Sequence, residues 1–339
     1  MRIGIVNDSA TATEALRRVI VASTDHTVAW LAANGIEAVQ RCADDRPDVI
    51  LMDLIMPEMD GVAATRRIMA ETPCAIIVVT ASVAETSGRV FAALGAGALD
   101  AVNTPQLAGG NEAAGAQALR TKLEMIGRLI GAIPLQSSAV PATKERRVSS
   151  GRGGQWLLAI GASAGGPAAL AEVLSGFGKA TAAAIVVVQH LDEQFAPGLA
   201  QWLGQQIALP VRLAVDGDIP VAGTVLLPSR ADHLVFSERG TLHYTPEPTD
   251  YAYRPSVDAL FESVALHWRR PAAGVLLTGM GRDGARGLKK MRDAGFPTIA
   301  QDRATSAVYG MPKAAAELGA AEQILPLARI GPALRHLLV

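Results

Sequence analysis

The sequence predicts an α/β protein of two domains, each a doubly wound parallel sheet. Three observations predict it. Apolar runs of strand length alternate with helical patterns through both halves of the 339 residues, which is how parallel sheets are written. Polar residues stand directly after several of these runs, where open α/β sheets place their ligand sites. Between the halves, Pro134 to Gly154 is dominated by Pro, Ser, Gly and charge and has no periodic apolar face, so it reads as a flexible linker. The expected boundaries are 1–125 for the first domain, 126–152 for the linker and 153–339 for the second domain. The last helix of the first half is predicted from about Asn111 to Ile130.

Composition sets the outer bounds. A chain of 339 residues suits about two domains. With 50% hydrophobic and 19% charged residues, both can bury full cores. Net charge is −1 and neither half is strongly basic, which argues against a large nucleic-acid surface. The basic cluster Lys144, Arg146 and Arg147 reads as solvated linker. Cys42, on a predicted helix, and Cys74, just before a strand, read as small apolar residues in a reducing compartment, with no disulfide suggested. No signal-peptide pattern and no long apolar segment is seen. A cytoplasmic protein without membrane insertion is expected.

In the first half, the strand Arg2–Val6 runs into Asn7-Asp8. The strand Val49–Met52 ends on Asp53, followed by a loop with Pro and Gly and an amphipathic helix from about Val62. The strand Ala75–Val79 ends on Thr80. Two acids, a carboxamide and a hydroxyl thus reach one sheet edge. Hard oxygen ligands suit Mg²⁺, which takes one or two carboxylates and keeps waters. A carboxylate beside that ion can be the nucleophile on a phosphoryl group. Each acid alone could merely open a loop or cap a helix; five elements in order weigh against that. Residues 1–125 resemble a response-regulator receiver domain, a flavodoxin-like fold. The resemblance implies Asp53 as phosphoacceptor, Asp8, Asn7 and Asp53 as the Mg²⁺ pocket, and Thr80 as the phosphoryl-sensing hydroxyl. The run Asp100-Ala101-Val102-Asn103-Thr104-Pro105 departs from the family. Ala101 stands for the usual aromatic and Thr104 for the lysine that pairs with the phosphoryl group, while Asn7 replaces the first acid.

In the second half, the strand Trp156–Ile160 leads into Gly161-Ala-Ser-Ala-Gly-Gly-Pro167 and a helix from Ala168 to about Leu174. The segment is literally G-x-S-x-G, which raises Ser163 at a strand-to-helix turn. Amides at the helix start can face a developing negative oxygen. The strand Ala184–Val188 ends on Gln189-His190, and Gly274–Leu277 runs into Thr278-Gly-Met-Gly-Arg-Asp283-Gly. A serine hydroxyl needs a base, and the base needs an acid to fix its tautomer; Ser163, His190 and Asp283 supply that set. Singly, each has a plainer role: His190 beside a loop, Asp283 as a helix N-cap, Ser163 as a turn residue. His233, after Asp232, is assigned a loop role. His26, His243, His267 and His336 read as structural.

Six motifs in order resemble the catalytic domain of chemotaxis protein-glutamate methylesterase over residues 153–339. They are Gly161-Ala-Ser-Ala-Gly-Gly-Pro, Gln189-His190, Leu227-Pro-x-x-x-Asp-His, Arg254-Pro-Ser-Val-Asp258, Leu277-Thr-Gly-Met-Gly-x-Asp-Gly284 and Tyr309-Gly-Met-Pro312. The resemblance implies a Rossmann-like domain with Ser163 as nucleophile, His190 as base and Asp283 as its orienter. Backbone amides at Ala164 and Met280 form the oxyanion site, and no cofactor is needed for ester hydrolysis. It further implies methyl-accepting chemoreceptors as substrate, deamidation of receptor glutamines, and control by a histidine kinase of the chemosensory array through Asp53. Rival expectations are a binding module with an idle esterase domain, and a general α/β-hydrolase ordered Ser, Asp, His with His336 as base. A transcriptional regulator is disfavoured because no helix-turn-helix pattern is seen.

Overall fold

The computed structural model describes residues 1–23, 25–80, 83–105, 112–131, 155–251 and 253–338. They form two units, Met1–Leu135 and Gln136–Val339. Residues 132–152 of the expected linker, with Lys144, Arg146 and Arg147, lie outside the described residues.

The first unit alternates strand and helix without exception: β1 (Arg2–Val6), α1 (Ala10–Val21), β2 (Thr27–Ala32), α2 (Gly35–Asp44), β3 (Val49–Asp53), α3 (Gly61–Glu71), β4 (Ala75–Thr80), α4 (Val83–Gly95), β5 (Asp100–Asn103) and α5 (Glu112–Gly131). Short polar side chains start the helices. Ser9, Asn34 and Asp60 each accept an N–H from the first turn of α1, α2 and α3, satisfying donors that have no partner inside the helix. The helix α5 reaches Gly131, beyond the expected boundary at 125. All strand pairs are parallel, in the order β2-β1-β3-β4-β5. The order reverses between β1 and β3, so the crevice beyond their carboxyl ends is the ligand position of this topology. Asn7, Asp8 and Asp53 stand there. Cys42 of α2 and Cys74 before β4 are buried free thiols, their Sγ atoms 3.9 Å apart. Burial raises both thiol pKa values, which keeps them protonated and inert.

The second unit begins β6 (Trp156–Ala162), α6 (Gly166–Ser175), β7 (Ala183–Gln189), a 3₁₀ turn (Glu193–Phe195), α7 (Ala196–Gln206), β8 (Val211–Leu213) and β9 (Val225–Leu227). It continues β10 (His233–Phe236), β11 (Leu242–Thr245), α8 (Val257–His267), β12 (Ala272–Leu276), α9 (Ala285–Asp293), β13 (Thr298–Gln301), α10 (Met311–Glu317), β14 (Gln323–Leu325) and α11 (Leu327–Leu337). Its seven-stranded sheet is ordered β14-β13-β12-β6-β7-β9-β8, and every pair is parallel. All seven residues of β7 are buried, as expected for a strand covered on both faces. The chain steps outward from β6 through β7 to β8, then returns to β12 on the other side of β6. The switch point therefore lies at β6, and Ser163 is the residue just past its end.

One region departs from the sequence reading. β10 and β11 form a separate antiparallel hairpin, and His233, assigned above to a loop, opens β10 and is fully buried. The apolar run is only Leu234–Phe236, too short to stand out as a strand by periodicity. Among the described residues, no helix is long and apolar enough to cross a membrane.

Candidate active site

Three adjacent strand ends build the site of the second unit. β6 and β7 pair with Ala162 opposite Gln189, so Ser163 and His190 are the next residues of neighbouring strands. β6 and β12 pair with Gly161 opposite Leu276, which brings the Thr278–Gly284 loop to the same edge.

The turn that presents Ser163 is held from three directions. Its N–H donates to Thr278 O at 3.0 Å. Its carbonyl accepts from Gly166 N–H at 2.7 Å and from Gln189 Nε2 at 2.8 Å. The same Nε2 donates to His190 O at 3.1 Å, so one buried carboxamide ties the backbones of serine and histidine together. The Thr278 hydroxyl lies 2.9 Å from Ala164 O and accepts Val308 N–H at 2.9 Å. Gly165 closes the turn with φ +74°, a conformation a side chain would strain.

His190 and Asp283 meet at 2.7 Å between Nε2 and Oδ2. Asp283 is not the N-cap of α9; Gly284 holds that position. Its carboxylate instead sits on the N-terminus of α8. Oδ2 accepts Val257 N–H at 2.6 Å, and Oδ1 accepts the Ser256 hydroxyl at 2.7 Å and Asp258 N–H at 3.1 Å. Burial would raise this carboxyl, but the bonds from His190, Ser256 and Val257 outweigh it and hold the pKa below its ordinary value. The group is therefore an anionic acceptor for the proton on Nε2 of His190, which leaves Nδ1 as the ring's other nitrogen. That Nδ1 is buried and has no hydrogen-bond partner among the described residues. The ring thus holds one nitrogen on the acid and leaves the other unpartnered, at the strand end next to that of Ser163.

His233 is part of this support. Its Nδ1 accepts Ser256 N–H at 3.1 Å and its Nε2 donates to Pro248 O at 3.1 Å. Both ring nitrogens are used, which fixes the ring's orientation under the residue that bonds Asp283. Gln189 lay inside a quoted motif without a role, and His233 was assigned to a loop. Their signal was there in type, a carboxamide and an imidazole flanking site residues, but their long-range partners are not visible in sequence.

Ala164 and Met280 amides donate to no other group among the described residues. Gly279 packs on Ser163: a Cβ there would lie 2.8 Å from Ser163 Cβ and 2.3 Å from Met311 Sδ. A side chain at 279 would collide with both, so the chain can pass Ser163 this closely only as glycine. His336 stands on α11, which packs against α6 and β13, and among the described residues it bonds neither Ser163 nor Asp283, which removes the main support for the order Ser, Asp, His.

In the first unit, Asp53 Oδ1 accepts Leu54 N–H at 2.7 Å. Burial raises the Asp53 carboxyl, those backbone bonds lower it, and the Asp8 charge raises it further. Two carboxylates share the crevice, with Asn7 beside Asp53 by strand register. Asn7 Oδ1 accepts Ser9 N–H at 2.8 Å and keeps a second lone pair. The donor set fits Mg²⁺, since two carboxylates and a carboxamide oxygen at one crevice are the hard ligands that ion takes. Thr80 is buried at the end of β4, and Thr104 N–H donates to its carbonyl at 2.9 Å. No lysine or arginine pairs with Asp53 among the described residues. Lys122 of α5 pairs instead with Asp100 at 2.6 Å and donates to Ala101 O, at the amino end of β5 and away from the crevice.

Family models match both units. The model described as the response regulator receiver domain matches residues 3–107, and that of the CheB methylesterase matches residues 158–334. The chain belongs to the CheB methylesterase family. It is 57% identical over 338 residues to the protein-glutamate methylesterase/protein-glutamine glutaminase of Mesorhizobium japonicum, covering 98% of this chain and 97% of that one. It is 55% identical over 334 residues to protein-glutamate methylesterase/protein-glutamine glutaminase 3 of Pseudomonas aeruginosa, covering 98% of each. The crystal structure of the Thermotoga maritima CheB methylesterase catalytic domain is 34% identical, with TM-score 0.50, covering 55% of this chain and 99% of that one.

Asp258, behind the acid, has a distinct electrostatic state. Burial pushes its carboxyl up to about 6, with the Asp283 charge adding to the rise and Gly287 N–H and Arg286 opposing it. Its folded value lies above the ordinary 3.8. Its contribution to stability is therefore complete below about pH 3.8 and is lost as pH rises through about 6. Asp258→Asn keeps an oxygen for Gly287 N–H and removes the titration. The variant should gain on wild type by on the order of 2–3 kcal/mol between pH 4 and pH 7. Urea midpoints measured across that range check this; parallel curves for the two proteins would contradict it.

Proposed function

We infer that Ser163, His190 and Asp283 carry out the ester hydrolysis of this family. The protein is a receiver-regulated serine hydrolase that demethylates glutamate methyl esters on chemoreceptors and deamidates glutamines. The observation that carries the residue roles is the His190–Asp283 contact of 2.7 Å, with a buried, unpartnered Nδ1 on the histidine whose strand end neighbours that of Ser163. Ser163 Oγ attacks the ester carbonyl as Nδ1 takes its proton. Asp283 stabilises the imidazolium that forms, and the Ala164 and Met280 amides receive the oxyanion. The imidazolium then returns the proton to methoxide oxygen, and methanol leaves. A water, deprotonated by the same Nδ1, releases the glutamate. With a glutamine, ammonia is the leaving group.

Ser163→Ala should reduce methanol release from a methylated receptor fragment by on the order of 10⁴ to 10⁶ with the fold intact, and His190→Ala by nearly as much, without additivity. Turnover of Ser163→Ala within about tenfold of wild type would exclude the nucleophile and leave a binding module with an idle esterase domain.

The receiver reading places the phosphoryl group on Asp53, supplied by the chemosensory histidine kinase in the cytoplasm. Asp8, Asp53 and Asn7 would hold Mg²⁺, which when bound neutralises charge on the phosphoryl oxygens. Asp53 presents the attacking oxygen, and Thr80 offers a hydroxyl at the next strand end. Beryllofluoride with Mg²⁺ should bind wild type and fail to bind Asp53→Asn. Equal fluorescence titrations of the two proteins would refute the assignment.

Thr104 can offer the phosphoryl group a hydrogen bond but no positive charge, and a charge-assisted contact is roughly twice as strong. A switch can shift only by the difference in interaction energy between its states. Thr104→Lys should therefore raise the ratio of esterase turnover with and without beryllofluoride. An unchanged ratio would mean that the lysine position plays no part in this switch.

A further inference from the structure

The ring of His190 is held by more than its acid. Tyr253 stacks on it, with centroids 4.2 Å apart and planes 6° from parallel. One hydrogen bond at Nε2 restrains one point of an imidazole, whereas a stacked partner restrains its plane. The plane matters because Nδ1 must face Ser163 while Nε2 keeps Asp283. Rotation of the ring about its Cβ–Cγ bond would carry Nδ1 away from the serine.

Tyr253 arrives on a segment that already serves the acid. Three residues later, Ser256 donates its hydroxyl to Asp283 and its N–H to His233. The phenol end of Tyr253 also packs at Gly281, where a Cβ would lie 3.3 Å from Oη, next to the Met280 amide. One short segment thus meets the base, the acid and the loop expected to receive the oxyanion.

We propose that Tyr253 is a positioning residue for the general base, holding the His190 ring plane and favouring its charged form through the π-face. This rests on His190 being the base. The charge on the ring appears only during reaction, and a cation is attracted to an aromatic face. An interaction that grows between ground and transition state raises kcat and leaves KM alone. The titratable groups facing His190 are Asp283 from the β12–α9 loop and the Tyr253 phenol. Asp258 stands behind Asp283, within 3.8 Å of Arg286. On the loop after His190, Asp192 and Glu193 bond the N–H groups of Gln194 and Ala231.

The test uses the full-length protein and a helical peptide carrying one glutamate γ-methyl ester, with methanol release as readout. Tyr253→Leu should lower kcat by about 10- to 30-fold with KM within about twofold, in keeping with a loss of this class of contact. Tyr253→Phe keeps the stack and should retain kcat within about fivefold. Should Tyr253→Leu fail to fold by circular dichroism, Tyr253→Met, closer in volume, takes its place with the same expectation. A loss that appears in KM would make Tyr253 a substrate wall. A loss as large in Tyr253→Phe would make the hydroxyl the active part. Either result overturns the proposal, as does a kcat near wild type in Tyr253→Leu when His190→Ala is inactive. If His190→Ala itself keeps activity, the base assignment fails instead, so the two failures are distinguishable.

Discussion

The seat of Asp283 on the start of α8 is the contact on which the rest of the esterase site depends. A buried carboxylate is costly, several kcal/mol even after relaxation. Here four donors meet it: the Ser256 hydroxyl, two N–H groups of the first turn and the His190 ring. The first turn of a helix has N–H groups with no partner of their own and carries partial positive charge. The acid supplies what the helix lacks, and the helix offsets the burial of the acid. Ser256 serves both, accepting Ala259 N–H as N-cap while donating to Asp283. His233 holds the Ser256 backbone from below. A change at β10 would thus be felt at the base through two hydrogen bonds and a helix start.

The two units use the same sheet position for opposite electrostatic ends. Asp283 is over-satisfied and held below its ordinary pKa, which suits a group that must stay charged while its neighbour gains and loses a proton. Asp53 is under-satisfied and raised, by burial first and by Asp8 in addition. Such a carboxylate is incomplete without a cation, which suits a group that is to be modified and released. The difference comes from what surrounds the strand end. At β12 a helix N-terminus faces the acid. At β3 a second acid does.

Much of this was legible in sequence. Strand-length apolar runs with a polar residue just past the end located both switch points, because fully buried parallel strands leave a plain signature. The three chemistry-bearing side chains of the second unit each followed such a run. What was not legible depended on long-range contact. Asp283 looked like a local cap of α9 and proved to face α8. His233 looked like a loop residue because three apolar positions do not announce a strand. The roles of Gln189 and Tyr253 are set by atoms far away in sequence, and no period or spacing encodes them.

The strand order also decides which nitrogen of His190 does which task. Neighbouring strands lie about 4.8 Å apart, and Ser163 and His190 are register neighbours on β6 and β7. In the proposed triad the serine takes the ring nitrogen that Asp283 leaves open, Nδ1. The acid starts from β12, on the far side of β6 from β7, and must pass over the serine strand to reach the ring. It meets the outer nitrogen, Nε2. In the serine-protease arrangement the inner nitrogen faces the acid and the outer one the serine. Asp283 holds Nε2 here, so in the proposed triad the two are exchanged, and the strand that leads to Ser163 lies between those that lead to His190 and Asp283. The acid then arrives from above rather than from beside the histidine, where the sheet gives it no strand neighbour to lean on. A helix start aimed at the same point supplies the support the sheet cannot, which is why α8 and the segment before it belong to the site as much as the three strand ends do.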